Sequence, residues 1–129
     1  MTALVVDDDQ TIRSIVRAVL TNRSYRVLEA VDMDEALAAC DQHQGPLRIL
    51  IADVMLKTPD GLETAARLME ARPELRVLFI SGYPAGRFKR DLEKLPTQRV
   101  RFLQKPFAPE KLLSELDALL ADRDAATSE

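Results

Sequence analysis

Four apolar runs, each closed by a reactive side chain, constrain this chain more than any other feature of its sequence. Ala3-Leu4-Val5-Val6 stops at Asp7-Asp8-Asp9, and Ile49-Leu50-Ile51-Ala52 stops at Asp53. Val77-Leu78-Phe79-Ile80 stops at Ser81, and Val100-Arg101-Phe102-Leu103 runs through Gln104 to Lys105. Short apolar runs bounded by polar residues are strand-like. As parallel strands of one sheet they place their C-terminal ends along one edge, where open α/β sheets bind ligands. Carboxylates, a hydroxyl and an ammonium then converge from distant parts of the chain.

Helical periodicity fills the intervals. Ile12, Ile15, Val16, Val19 and Leu20 form one apolar stripe, and Asp8 or Asp9 is placed to cap that helix. Arg26-Val27-Leu28-Glu29-Ala30 reads as a further short strand. Met33, Ala36, Leu37 and Cys40 make a second stripe, ended by Gly45-Pro46, and Leu62, Ala65, Ala66 and Met69 a third, stopped before Pro73. Phe88, Leu92 and Leu95 suggest a fourth between Pro84 and Pro96. Leu112, Leu113, Leu116, Leu119 and Leu120 make a fifth, with Pro109 in its first turn. Five βα units in succession imply a doubly wound parallel sheet, with right-handed crossovers and helices on both faces.

A chain of 129 residues is long enough to bury a core without metal or disulfide staples. The expected domain spans residues 1–121, followed by a small, polar tail at 122–129. The net charge of −3 dictates no partner, and no apolar run reaches the length that spans a bilayer. The lone Cys40 fits a reducing, cytoplasmic setting and falls on a core-facing stripe. His43 lies three residues from it, too sparse a pair for a metal site.

The chemistry of the shared edge follows from its charges. Two carboxylates about 4 Å apart repel by roughly 4 kcal/mol at an effective dielectric of 20. Mg²⁺ relieves this, binding one or two carboxylates with waters and a phosphate oxygen. Lys105 suits a phosphoryl oxygen, Ser81 adds a hydroxyl beside the unencumbered Gly82, and a remaining carboxylate can attack phosphorus to form an acyl phosphate.

These residues resemble the receiver domain of two-component response regulators. The likeness rests on Leu4-Val5-Val6-Asp7-Asp8-Asp9, Asp53 with Asp60-Gly61, Phe79-Ile80-Ser81-Gly82 and Lys105-Pro106-Phe107, and it runs from residue 3 to about residue 121. It implies a flavodoxin-like (βα)5 sandwich with strand order 2-1-3-4-5. Asp53 is then the phosphoacceptor, and Asp7, Asp8 and the Met55 carbonyl complete a Mg²⁺ site. Ser81 and Lys105 contact the phosphoryl oxygens, the Lys105–Pro106 peptide is cis, and Phe102 stands at the aromatic switch position with Ser81 as its coupled partner. The implied donor is a sensor histidine kinase or histidine phosphotransfer protein, with a downstream effector that the sequence leaves open. The domain then assists its own phosphorylation and dephosphorylation without being a classical enzyme.

The chain departs from the family pattern at Lys57, where proline is common, with Pro59 two residues later. Serine replaces the more usual threonine at Ser81, and phenylalanine replaces tyrosine at Phe102, so switching there rests on packing. Met55 and Tyr83 flank the site, where they bear on water access. Arg87, Lys89, Arg90, Lys94, Arg99 and Arg101 face only Asp91 and Glu93 in their stretch. They form a solvated surface or, within an 84–121 face, one for an acidic partner or a weak homodimer. No helix-turn-helix remains for direct nucleic-acid binding.

Three other functions compete. Asp7-x-Asp9-x-Thr11 fits haloacid-dehalogenase-like phosphohydrolases, with Asp7 as nucleophile and Asp9 as acid/base, although Pro106-Phe107-Ala108-Pro109 supplies no further acid after Lys105. A receiver-like interaction module that never turns over phosphate is the second. A flavodoxin-like electron carrier is the third, and it lacks a Ser/Thr/Gly-rich phosphate loop after the first strand.

Overall fold

The computed structural model describes residues 1–55 and 61–128. Lys57, Pro59 and Asp60 lie outside the described residues. The strands are β1 (Thr2–Val6), β2 (Arg26–Ala30), β3 (Ile49–Asp53), β4 (Arg76–Ser81) and β5 (Val100–Gln104). They pair in parallel in the order β2-β1-β3-β4-β5. The helices are α1 (Gln10–Asn22), α2 (Met33–Gln42), α3 (Gly61–Ala71), α4 (Lys89–Glu93) and α5 (Pro109–Ser128). This is the doubly wound flavodoxin-like sandwich expected from the sequence.

The twofold alternation of strands explains why β3 and β4 are apolar throughout. Leu4, Val6, Leu50, Ala52, Val77 and Phe79 point to one face and pack with Ala36, Cys40, Ala65, Leu68 and Phe88. Ala3, Val5, Ile49, Ile51, Leu78 and Ile80 point to the other and pack with Val16, Leu20, Leu112, Leu116 and Leu119. Both faces of the central strands β3 and β4 are thereby closed, while the edge strands β2 and β5 stay partly exposed.

Ile15 departs from the expected stripe and stands 43% exposed. Val16 and Leu20 are buried one turn apart on the stripe that meets the sheet. Ile15 lies about 100° round the helix from Val16, and that rotation turns it outward. The fourth helix is also shorter than expected. A 3-10 turn at Ala85–Phe88 leads into the five-residue α4, and neither start has a side-chain cap. Phe88, Leu92 and Leu95 still pack on the core, so the apolar spacing survives where the regular helix does not. The α5 backbone continues to Ser128, into the segment read from composition as a tail. Cys40 is buried as expected, and its Sγ accepts from Arg72 Nε at 3.1 Å. Arg72 also donates to the Cys40, His43 and Gly45 carbonyls, satisfying acceptors that the end of α2 leaves open.

Candidate functional site

β1, β3, β4 and β5 end side by side, and polar groups stand at the last residue of β3 and β4 and in the turns after β1 and β5. At β1 the carboxylate of Asp7 is wholly buried, with Oδ1 accepting the Asp9 N–H at 2.8 Å. Asp8 next to it is exposed. At β3, Asp53 is 6% exposed, and its Oδ1 accepts the Met55 N–H at 2.8 Å. Lys105, following β5, reaches both acids, with Nζ 2.9 Å from Asp53 Oδ2 and 3.2 Å from Asp7 Oδ2. Its own N–H donates to the Ser81 carbonyl at 2.7 Å, which ties the end of β4 to the turn carrying the ammonium. The Lys105–Pro106 peptide is cis.

Carboxylate oxygens of Asp7, Asp8 and Asp53 lie within 4.8 Å of one another. An all-oxygen, multiply anionic set suits a hard divalent cation and gives a soft one little to bind. The residues present therefore fit Mg²⁺. The described residues show no comparable cluster around Cys40 and His43.

The electrostatics show how the Lys105 ammonium balances the buried acids. Burial pushes the Asp7 carboxyl above its ordinary value, and the Asp53 charge adds to this against the opposing pull of the Asp9 N–H and Lys105. Burial alone would lower Lys105, but the hydrogen bond to Asp53 and the Asp7 and Asp53 charges outweigh it, so its pKa is raised.

A raised carboxyl pKa means that the fold favours protonated Asp7. Its contribution to stability is complete below the unfolded value of 3.8 and is lost as pH rises through the higher folded value. Asp7→Asn keeps an acceptor for the Asp9 N–H and removes the charge. In EDTA it is expected to raise the melting temperature by several degrees at about pH 7 and by much less near pH 4. Thermal unfolding at both pH values checks this; a difference independent of pH would contradict the assignment.

The remaining candidates sit in different relations to the pocket. Ser81 is fully buried at the end of β4, and its Oγ accepts the Tyr83 N–H at 3.0 Å, leaving the hydroxyl proton to donate. Met55 and Tyr83 are 46% and 42% exposed, and Arg87 stacks on the Tyr83 ring at 4.1 Å. Phe102 is directed into the core face, packs on Phe88 at 6.1 Å between ring centroids and pairs in register with Phe79 on β4. Asp9 caps α1, accepting from Thr11 N at 2.8 Å and Ile12 N at 3.4 Å. That engagement uses Oδ1 for the helix start, the capping role that the sequence also allows.

Gly61, half of the Asp60-Gly61 pair that carries the family likeness, and Arg13, which has no part in that likeness, both stand behind the carboxylates. Gly61 approaches the strand end so closely that a Cβ there would lie 1.9 Å from the Asp53 carbonyl oxygen. Arg13 donates from Nη1 to the Asp7 carbonyl at 2.6 Å. Its signal was available: a long side chain in the first turns of a helix leans back toward the N-terminus.

The family model for the response regulator receiver domain matches residues 3–117. The sensor kinase CckA of Brucella abortus is 30% identical over 123 residues, which are 95% of this chain and 13% of the kinase. The response regulator receiver protein CpdR of the same organism is 29% identical over 118 residues, covering 91% of this chain and 94% of CpdR. Among solved structures, the chemotaxis protein CheY4 of Vibrio cholerae superposes with a TM-score of 0.82 at 27% identity, over 92% of this chain and 97% of CheY4. The chain thus matches a small part of one relative and nearly the whole of another.

Proposed function

Because this chain belongs to the response regulator receiver domain family, we propose that Asp53 is its phosphoacceptor and takes the phosphoryl group from a phosphohistidine. The donor is a sensor histidine kinase or a histidine phosphotransfer protein. The observation that carries this is the Lys105 ammonium, held 2.9 Å from Asp53 and 3.2 Å from Asp7 beside a three-carboxylate cluster. An acceptor, an acidic pair and a single cation are then within one phosphate's reach.

The exchange balances simply. A carboxylate oxygen of Asp53 forms the new bond to phosphorus as the P–N bond breaks, and the imidazole departs with the electron pair. Lys105 turns from Asp7 toward one phosphoryl oxygen. The Ser81 hydroxyl donates its proton to another while its Oγ keeps the Tyr83 N–H. Asp7, Asp8, Asp53 and the Met55 carbonyl would hold Mg²⁺, which when bound supplies charge neutralisation at the phosphoryl oxygens. The chain's residues assist phosphorylation and later hydrolysis of their own acyl phosphate, with no separate substrate turned over.

The phosphoryl group adds about −2 charge at one point. Movement of Ser81 and Lys105 toward it draws on the segment from Tyr83 through α4 and repacks Phe88 against Phe102, shifting an existing equilibrium. The acting unit is residues 1–121, with 122–129 a polar extension, and its setting is cytoplasmic. Output passes to a downstream effector, with the 84–121 face available for weak self-association. Neither nucleic acid nor membrane is contacted directly.

Acetyl phosphate with Mg²⁺, followed by peptide mass mapping, tests the assignment. One phosphoryl group per chain is expected on Asp53, with Asp53→Asn unlabelled. Label on Asp7 would indicate the phosphohydrolase, and no label from acetyl phosphate or a phosphohistidine donor would indicate a pure interaction module.

A further inference from the structure

We propose that Arg13 is a positioning residue that sets the geometry of the Asp7-Asp8 pair toward a divalent cation, an inference that rests on the Mg²⁺-dependent function above. Besides the Lys105 ammonium on its Oδ2, Asp7 is fixed at three points. Its N–H donates to the Ala30 carbonyl at 3.1 Å, its Oδ1 accepts the Asp9 N–H at 2.8 Å, and its carbonyl accepts Arg13 Nη1 at 2.6 Å. Of these three, only the last comes from a side chain.

That carbonyl belongs to the planar peptide joining Asp7 to Asp8. Holding it fixes the direction in which the exposed Asp8 leaves the strand, and therefore how the two carboxylates face each other. Arg13 is itself held: Glu29 on β2 places Oε1 3.5 Å from its Nε and takes Arg17 Nη1 on Oε2 at 2.9 Å. The Arg13 side chain is 14% exposed and that of Arg17 is 60% exposed, so the inner arginine orients and the outer one only steadies Glu29. β1, α1 and β2 thus meet at one guanidinium directly behind the acidic pair.

Charge and geometry make opposite predictions here. A cation beside the carboxylates repels Mg²⁺, so if Arg13 acted by charge alone its removal would tighten metal binding. As a positioning group its loss weakens binding, in the way that partners behind metal ligands typically cost 10–100-fold when removed.

Calorimetric titration of the full chain with Mg²⁺ separates the two. Arg13→Met is expected to bind roughly tenfold more weakly, with Glu29→Gln losing less in the same direction and Arg13→Lys partly rescued. The Mg²⁺ concentration for half-maximal phosphorylation by acetyl phosphate should rise by a similar factor, while the rate at saturating Mg²⁺ recovers. Melting in EDTA confirms that each variant is folded, and if Arg13→Met is not, Glu29→Gln carries the test. Unchanged or tighter Mg²⁺ binding overturns the inference alone. Failure of the unsubstituted chain to bind Mg²⁺ overturns the function on which it rests.

Discussion

Gly61→Ala is expected to cost about 3 kcal/mol of stability and to slow phosphorylation of Asp53 roughly a hundredfold. The added Cβ would lie 1.9 Å from the Asp53 carbonyl oxygen, 2.8 Å from its carbon and 3.0 Å from Val54 Cα. All three are backbone atoms, so no side chain can swing aside to make room. The Gly61 N–H also donates to the Val54 carbonyl at 3.0 Å, and separating α3 from β3 would lengthen that bond. What moves is the end of β3, which carries the attacking carboxylate. A displacement near 1 Å is enough for a loss of this order. Urea unfolding gives the first quantity; the rate with acetyl phosphate, taken well below the variant's melting temperature, gives the second. Wild-type values for both would mean that α3 can retreat without disturbing Asp53.

Lys105→Ala should destabilise the metal-free chain by about 3 kcal/mol near neutral pH, because it leaves two desolvated carboxylates facing each other without a counter-charge. The raised pKa of Lys105 gives its interaction a definite pH window: the stabilisation is complete below the unfolded value of 10.5 and is lost only as pH rises through the still higher folded value. The deficit should therefore be full at neutral pH. It should shrink in acid, where Asp7 takes up a proton, and shrink again in saturating Mg²⁺. Urea unfolding in EDTA, in Mg²⁺ and at acidic pH measures all three. Equal midpoints for variant and parent in EDTA would show that the ammonium is not what makes these carboxylates tolerable.

The parts of the molecule legible in sequence are those with strong periodicity or strong end signals. β2 runs from Arg26 to Ala30 as expected, and the five-strand parallel sheet follows from apolar runs that bury both faces. Asp7, Asp8, Asp53 and Lys105 meet because each closes such a run. The α1 stripe was read one residue too wide at Ile15, since apolar spacing gives a helix face without its exact rotation against the sheet. α4 was overestimated because Phe88, Leu92 and Leu95 keep core spacing across a 3-10 turn and a five-residue helix. Asp60-Gly61 is legible as part of the family likeness, but how closely Gly61 approaches the Asp53 carbonyl leaves no periodic trace. Gly82, which drew attention beside Ser81, has open space around it. Arg13 is legible only as a long side chain that leans back from the first turns of α1, since its partner, a main-chain carbonyl, leaves no side-chain pattern.

Lys105 and Asp7 are 98 residues apart in sequence, and their contact closes nearly the whole chain into one loop. Such a contact pays its closure entropy only when the strands between them are already assembled. The pocket therefore cannot exist in a half-built or partly melted chain. Opening β5 alone removes the ammonium from both acids at once and ends chemical competence before the rest of the molecule has come apart.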